Sequence, residues 1–138
     1  EYCNSIKVEN LSSKISNIEK TYWCEKALVG AGYAGRCDAY VKLRDIGDAI
    51  IDLKNRKVNP RYSPFYEHSD TPQLWAYKNA SENPKAACVS IVLASNDASK
   101  IMTRTWDDDE LYQSGIAFQA MLKIWCWVKG YTPPGCKL

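Results

Sequence analysis

Six cysteines, at positions 3, 24, 37, 88, 126 and 136, constrain this chain of 138 residues more than any other feature. Their number is even and their spacing irregular. No C-x-x-C occurs, and the one histidine, His68, is distant in sequence from all of them. Zinc sites and thioredoxin-like redox sites show close Cys or Cys/His pairs. Disulfides formed in an oxidising, extracellular setting are therefore the expectation for Cys3, Cys24, Cys37, Cys88, Cys126 and Cys136. Each bridge would add ~2–4 kcal/mol by restricting the unfolded chain. Spacing does not select the pairing; the one offered joins the two ends, Cys3 with Cys136. The chain starts at Glu1 with no Met and no apolar leader, which reads as the mature form of a secreted protein. The sequons Asn10-Leu11-Ser12 and Asn79-Ala80-Ser81 fit the same route.

The rest of the composition is that of a single domain spanning residues 1–138. Hydrophobic residues make up 46% of the chain and charged residues 25%, enough apolar material for a packed core under an ordinary soluble surface. A net charge of +2 excludes nucleic-acid binding driven by bulk charge. No apolar run is long enough to cross a membrane. There is no internal repeat and no linker.

Hydrophobic periodicity predicts two helices among several strands. Ala39, Leu43, Ile46, Ile50 and Leu53 recur at steps of four and three, placing a helix over 38–57 that Pro60 stops. A second helix is expected over 107–123. Thr105 and Asp108 resemble a capping box at its start, and Asp107, Asp108, Asp109 and Glu110 suit the positive end of the helix dipole. Strands are expected at Ile6–Val8, Gln73–Lys78, Ala87–Ser95 and Ile124–Lys129, and residues 11–29 read as either helix or strand. The Pro-containing stretch 58–72 reads as a long loop. The resulting fold class is α+β: a four-stranded, mainly antiparallel sheet with two to three helices packed on it, stabilised by disulfides.

Candidate chemistry is sparse at this level. An acid–base pair would have to use Glu67 and His68, as in a secreted ribonuclease, but neighbours in an extended segment point to opposite faces. The acids at 107–110 lack the spacing of a calcium loop. Gly30-Ala31-Gly32-Tyr33-Ala34-Gly35 falls one residue short of a dinucleotide-binding pattern and reads as a turn. Lys54, Arg56, Lys57 and Arg61 form a basic cluster that could hold a phosphate or polyanion, although a solvated helix end explains it as well. The expectation is no enzyme, no catalytic residues, no metal and no cofactor. The alternatives are a ribonuclease-like enzyme or an extracellular small-ligand or inhibitor protein.

Trp75-Ala76-Tyr77-Lys78 resembles the W-R-[FY]-[RK] signature of the LARS family, secreted avirulence effectors of plant-pathogenic fungi. Trp75, Tyr77 and Lys78 match, and Ala76 stands where the family has Arg. Members are small, cysteine-rich secreted proteins with a four-stranded antiparallel sheet and packed helices. The resemblance implies a non-enzymatic virulence or avirulence effector, acting by contact with host plant proteins and recognised, or masking recognition, by a resistance protein. It would work in the host apoplast or after translocation into host cells, as a monomer, without nucleic-acid or membrane partners. Trp75 and Tyr77 would pack the sheet with Lys78 at its rim, and the loop residues Tyr62, Phe65 and Tyr66 would offer a recognition surface.

Overall fold

The structure, a computed structural model, describes residues 17–137. The expected strand at Ile6–Val8, Cys3 and its proposed bridge to Cys136 lie outside the described residues. The elements are β1 (Ile18–Val29), β2 (Ala34–Leu43), β3 (Gly47–Arg56), α1 (Glu67–Ala80), β4 (Ala87–Ala94), β5 (Ile101–Trp106) and α2 (Asp108–Lys129). The five strands form one sheet in chain order. All neighbours are antiparallel except β3 and β4, which run parallel from Ala49–Ala87 to Arg56–Ala94. Parallel neighbours need a crossover, and α1 supplies it, lying on β3 and β4 with α2 packed on its outer side.

This corrects the four-stranded, disulfide-stabilised expectation in three respects. The sheet is five-stranded and mixed. The segment 38–57 is a β-hairpin, not a helix. Its turn reaches Gly47, whose φ of +88° is open to glycine but strained for other residues. Val41, Ile50 and Ile51 are β-branched and pack well on a pleated surface. Both faces of this hairpin are buried: Tyr40 and Ile50 face α1, while Ala39, Val41, Ala49 and Ile51 fill a second cluster on the opposite face. Apolar residues on both faces hide the two-residue period and leave only an accidental helical one.

Third, the described cysteines Cys24, Cys37, Cys88, Cys126 and Cys136 are all free thiols. Cys37 and Cys88 are fully buried in the core beside Ile50, Leu74 and Trp106, where cysteine acts as a small apolar group. Their Sγ atoms make weak contacts: Cys37 to Ala39 O at 3.8 Å and Ile51 O at 3.9 Å, and Cys88 to Leu74 O at 3.8 Å. Burial pushes both thiols up to about 12, so they are inert as nucleophiles at neutral pH.

Two further expected strands are helical. Gln73–Lys78 lies inside α1, where Asp70, Leu74 and Tyr77 share the buried face at helical spacing. Packing against the sheet outweighs the strand preference of its aromatics. The loop expected over 58–72 therefore ends at Tyr66. Ile124–Lys129 continues α2, which stops only where Gly130 takes a left-handed cap and donates its N–H to Cys126 O and Trp127 O. The start of α2 agrees with the acid-rich signal, but the capping box is Asp107 with Glu110 rather than Thr105 with Asp108. β4 matches the apolar run that predicted it, and residues 18–29 resolve as strand.

Candidate functional site

The hairpin places side chains that the helical reading keeps apart. In a strand, residues two apart share a face. Asp52 and Lys54 of β3 therefore point the same way as Ile50, toward α1. The pairing of Tyr40 with Ile50 and Ala39 with Ile51, continued one step, brings Asp38 of β2 opposite Asp52. Asp38 Oδ2 accepts the Leu53 N–H at 2.6 Å, fixing this carboxylate against the backbone of β3.

Asp52 is the unusual member of the group. It is 2% exposed, and its Oδ2 has no hydrogen bond. Lys54 Nζ stands 3.1 Å from that oxygen and is its ion-pair partner. Burial pushes the Asp52 carboxyl up to about 6. Lys54 opposes this, and the charges of Asp38 and Asp70 add to it.

α1 supplies the roof. Gln73 and Tyr77, one helical turn apart, share a face. Gln73 Oε1 accepts from Lys54 Nζ at 2.7 Å, and its amide nitrogen donates to Tyr77 Oη at 2.9 Å. The Tyr77 hydroxyl is pushed up first by burial, with Cys37, Asp52 and Asp38 adding to the effect and the bond from Gln73 opposing it. A continuous polar row, Asp52–Lys54–Gln73–Tyr77, thus crosses from sheet to helix. It sits within an otherwise apolar cluster that includes Cys37, Ile50 and Leu74.

The roof is clamped by Arg56, two residues beyond Lys54. Its guanidinium bonds both oxygens of Asp70, at 2.8 and 2.5 Å, and the Pro64 carbonyl at 2.6 Å. It also lies 4.1 Å from the Tyr66 ring centroid. Asp70 is fully buried. Burial raises its carboxyl, but Arg56 and the Tyr66 N–H outweigh that and hold it below the ordinary value. The end of β3 is thereby locked to the first turn of α1, which sets where Gln73 stands.

Two carboxylates on adjacent strands, with a lysine against one of them, suit a hard divalent cation. No three His, Cys, Asp or Glu side chains gather among the described residues, so a closed all-protein metal cage is not formed. Magnesium and manganese do not require one: one or two carboxylates suffice, with waters and substrate phosphate completing the shell. The Asp52 oxygen that lacks a hydrogen bond is a ligand atom of the right kind, and Asp38 is held beside it.

The residues singled out from sequence fall elsewhere or take other parts. Glu67 and His68 are exposed on the first turn of α1, outside this cluster. Lys57 and Arg61 are exposed on the loop following β3, while Lys54 and Arg56, from the same basic cluster, turn inward. Tyr62 is exposed, Phe65 packs on the core, and Tyr66 lies beside Arg56. Of the motif residues, Tyr77 packs on the sheet and Lys78 reaches Asp108 of α2 at 3.4 Å. Trp75 faces α2, not the sheet: a Cβ on Gly115 would fall within its indole ring, and it leans on Phe118. Asp38, Asp52 and Gln73 are not among the sequence candidates. The signals for them are Asp-x-Lys read as a strand and Gln-x-x-x-Tyr read as a helix.

No protein-family model matches the chain, and neither does any curated protein sequence. Among solved structures, the crystal structure of SSO0001 is similar at a TM-score of 0.40 and 11% identity. The match covers 87% of this chain and 58% of that one, so the chain spans less than two thirds of its length. A likeness at that level carries no argument, and the functional reading rests on the site itself.

Proposed function

We propose that the chain is a divalent-metal-dependent phosphodiesterase acting on nucleic acid, with Asp38, Asp52 and Lys54 at its centre. The observation that carries this is the buried Asp52 oxygen without a hydrogen bond, flanked by Lys54 and Asp38. A purely structural aspartate at this depth would be expected to have both oxygens bonded. Lys54 at 3.1 Å is the charge that faces this oxygen, and a divalent cation would add to it.

Each residue has a distinct task. Asp38 and Asp52 would hold the cation, Asp38 being fixed on β3 by the bond that its Oδ2 accepts from the Leu53 N–H. A bound magnesium or manganese ion supplies positive charge for a phosphodiester and lowers the pKa of water. Lys54 places its ammonium 3.1 Å from Asp52, and on this reading it would neutralise charge building on a non-bridging phosphoryl oxygen. Gln73 holds Lys54 in that direction and Tyr77 holds Gln73, so the ammonium is preorganised. Lys57 and Arg61, exposed on the loop beyond β3, are suited to neighbouring phosphates of a longer strand.

This reading differs from the non-enzymatic effector expectation, which rests on Trp75, Tyr77 and Lys78. Those side chains join α1 to the sheet and to α2.

The test is hydrolysis of a small chromogenic phosphodiester with magnesium or manganese added to the metal-free protein. Turnover is expected with metal, with a fall of roughly 100-fold or more in Lys54→Ala. Metal-independent turnover, or turnover unchanged in Lys54→Ala, contradicts the proposal.

A further inference from the structure

We infer that the cleft between α1, α2 and the β1–β2 turn binds a nucleotide, its aromatic wall taking the base and two lysines the phosphate. The cleft measures about 500 Å³, within the range of small-ligand pockets.

The way α2 is covered leaves this space. At ~100° per residue, Phe118, Gln119, Leu122 and Lys123 lie on the same side of α2 as Leu111, Gly115 and Cys126, which are buried. Leu111 joins the core, and Gly115 is covered by the Trp75 indole. Beyond the end of α2 the chain returns, setting Cys136 against Gly32 of the turn and its thiol against that of Cys126. Between these two covers the same side of the helix opens into the cleft. Trp75 and Asn79 line it from α1. They lie roughly 200° and 240° around that helix from Gln73, so the cleft and the Asp52–Tyr77 row occupy different sides of α1. The inference therefore stands apart from the catalytic proposal.

The aromatic wall is held in place before any ligand arrives. The Tyr33 ring rests on Gly30, where a Cβ would fall inside it, and its hydroxyl donates to Ala76 O at 3.0 Å. Phe118 meets that ring edge-on, with centroids 4.9 Å apart, and leans on Trp75 at 5.6 Å. Rings fixed against one another offer a flat ligand a stacking surface at little ordering cost.

Charge selects among flat ligands. Lys123 and Lys137 line the cleft and no acid does. Neither ammonium has an ion-pair partner among the described residues. Two carboxamides stand with them, Gln119 and Asn79. Asn79 donates from its nitrogen to Trp75 O at 2.9 Å, which leaves its oxygen to accept. An aromatic carboxylate would need one lysine and neither amide. A nucleotide suits the whole set: the base stacks, its edge meets the carboxamides, and a phosphate dianion meets two ammoniums. A free nucleotide and a residue of a strand share this chemistry.

Calorimetric titration of the full chain with AMP, in chelator so that no metal bridges the phosphate, tests the site. Saturable binding is expected, weakened at least ~10-fold by Lys123→Glu and kept in Asp52→Asn. Lys123 is exposed, so the variant should hold its melting temperature. Adenosine, which lacks the phosphate, and indole-3-acetate, a flat carboxylate, should each bind at least ~10-fold more weakly than AMP. Both results for a tetra-adenylate support the site: binding as tight as AMP assigns it to a strand residue, weaker binding to a free nucleotide. No binding of AMP, binding indifferent to Lys123→Glu, or adenosine or indole-3-acetate bound as tightly as AMP overturns the inference. Binding lost in Asp52→Asn overturns it too, because the nucleotide would then sit at the polar row.

Discussion

At the scale of single residues, Asp52 and Asp70 have opposite effects on stability. The Asp52 carboxyl sits near pKa 6 in the fold against an ordinary 3.8. Between those values the folded state holds a proton that the unfolded state has lost, so this group makes stability fall as pH rises from about 4 to 6. Asp70 is held below its ordinary value, so its contribution is present above that value and is lost as pH drops. Asp52→Asn is therefore expected to stabilise the metal-free protein at neutral pH, by on the order of 3 kcal/mol, with the gain gone at pH 4. Chemical denaturation at the two pH values measures it; equal effects at both would show that Asp52 carries no burial penalty. Added manganese, which favours the ionised carboxylate, should raise the melting temperature of the unaltered protein more at pH 7.5 than at pH 5. Gln73→Ala should leave manganese affinity unchanged and lower turnover by roughly 10-fold, because it releases Lys54 without touching a metal-binding carboxylate. Little of this was legible in the sequence. Lys54 stood out only as one charge in a basic cluster, and Tyr77 only as part of an effector-like motif. Asp38 and Asp52 acquire meaning together once two strands bring them side by side.

At the scale of elements, the hairpin is where sequence reasoning and structure part. Ala49-Ile50-Ile51 is apolar on consecutive positions because both faces of β3 are covered, and a doubly buried strand has no alternation to read. A helical reading of 38–57 sets Asp52 and Lys54 on different sides of a cylinder, which hides the site along with the fold. Trp75 and Tyr77 suggested a strand through intrinsic preference, yet each is packed in a helix. The start of α2 was legible because its signals are local: four acids and a capping side chain act within one turn. β4 was legible because an apolar run so short fits a buried strand better than a globular helix. The join between α1 and the rest of the fold gives two stability predictions. Arg56→Ala leaves Asp70 buried and unpaired and is expected to cost about 3–5 kcal/mol in denaturant unfolding. Gly115→Ala forces a methyl group into the Trp75 indole and should cost about 1–3 kcal/mol. A change below half a kilocalorie in either would mean that the helices are not held as described.

At the scale of the whole molecule, a core on each side of the sheet replaces the sulfur framework that the cysteine count suggested. Even spacing statistics cannot separate a thiol that packs from one that bonds, since both are buried and both are apolar. Cys37 and Cys88 pack. Reductant is expected to leave the melting temperature unchanged, and a clear drop would point to a bond that is absent among the described residues. On the phosphodiesterase proposal a modest net charge suffices, because the positive charge that would matter is Lys54, fixed beside Asp52, with Lys57 and Arg61 exposed on the following loop. The most direct measurement is cleavage of a labelled oligonucleotide by the unaltered protein and by Asp52→Asn, with magnesium or manganese and again with chelator. Cleavage that needs the metal and disappears in Asp52→Asn, although that variant is folded and more stable, is the result this account requires. Cleavage that survives either the substitution or the chelator, or a folded protein that cleaves nothing with either metal, would contradict it.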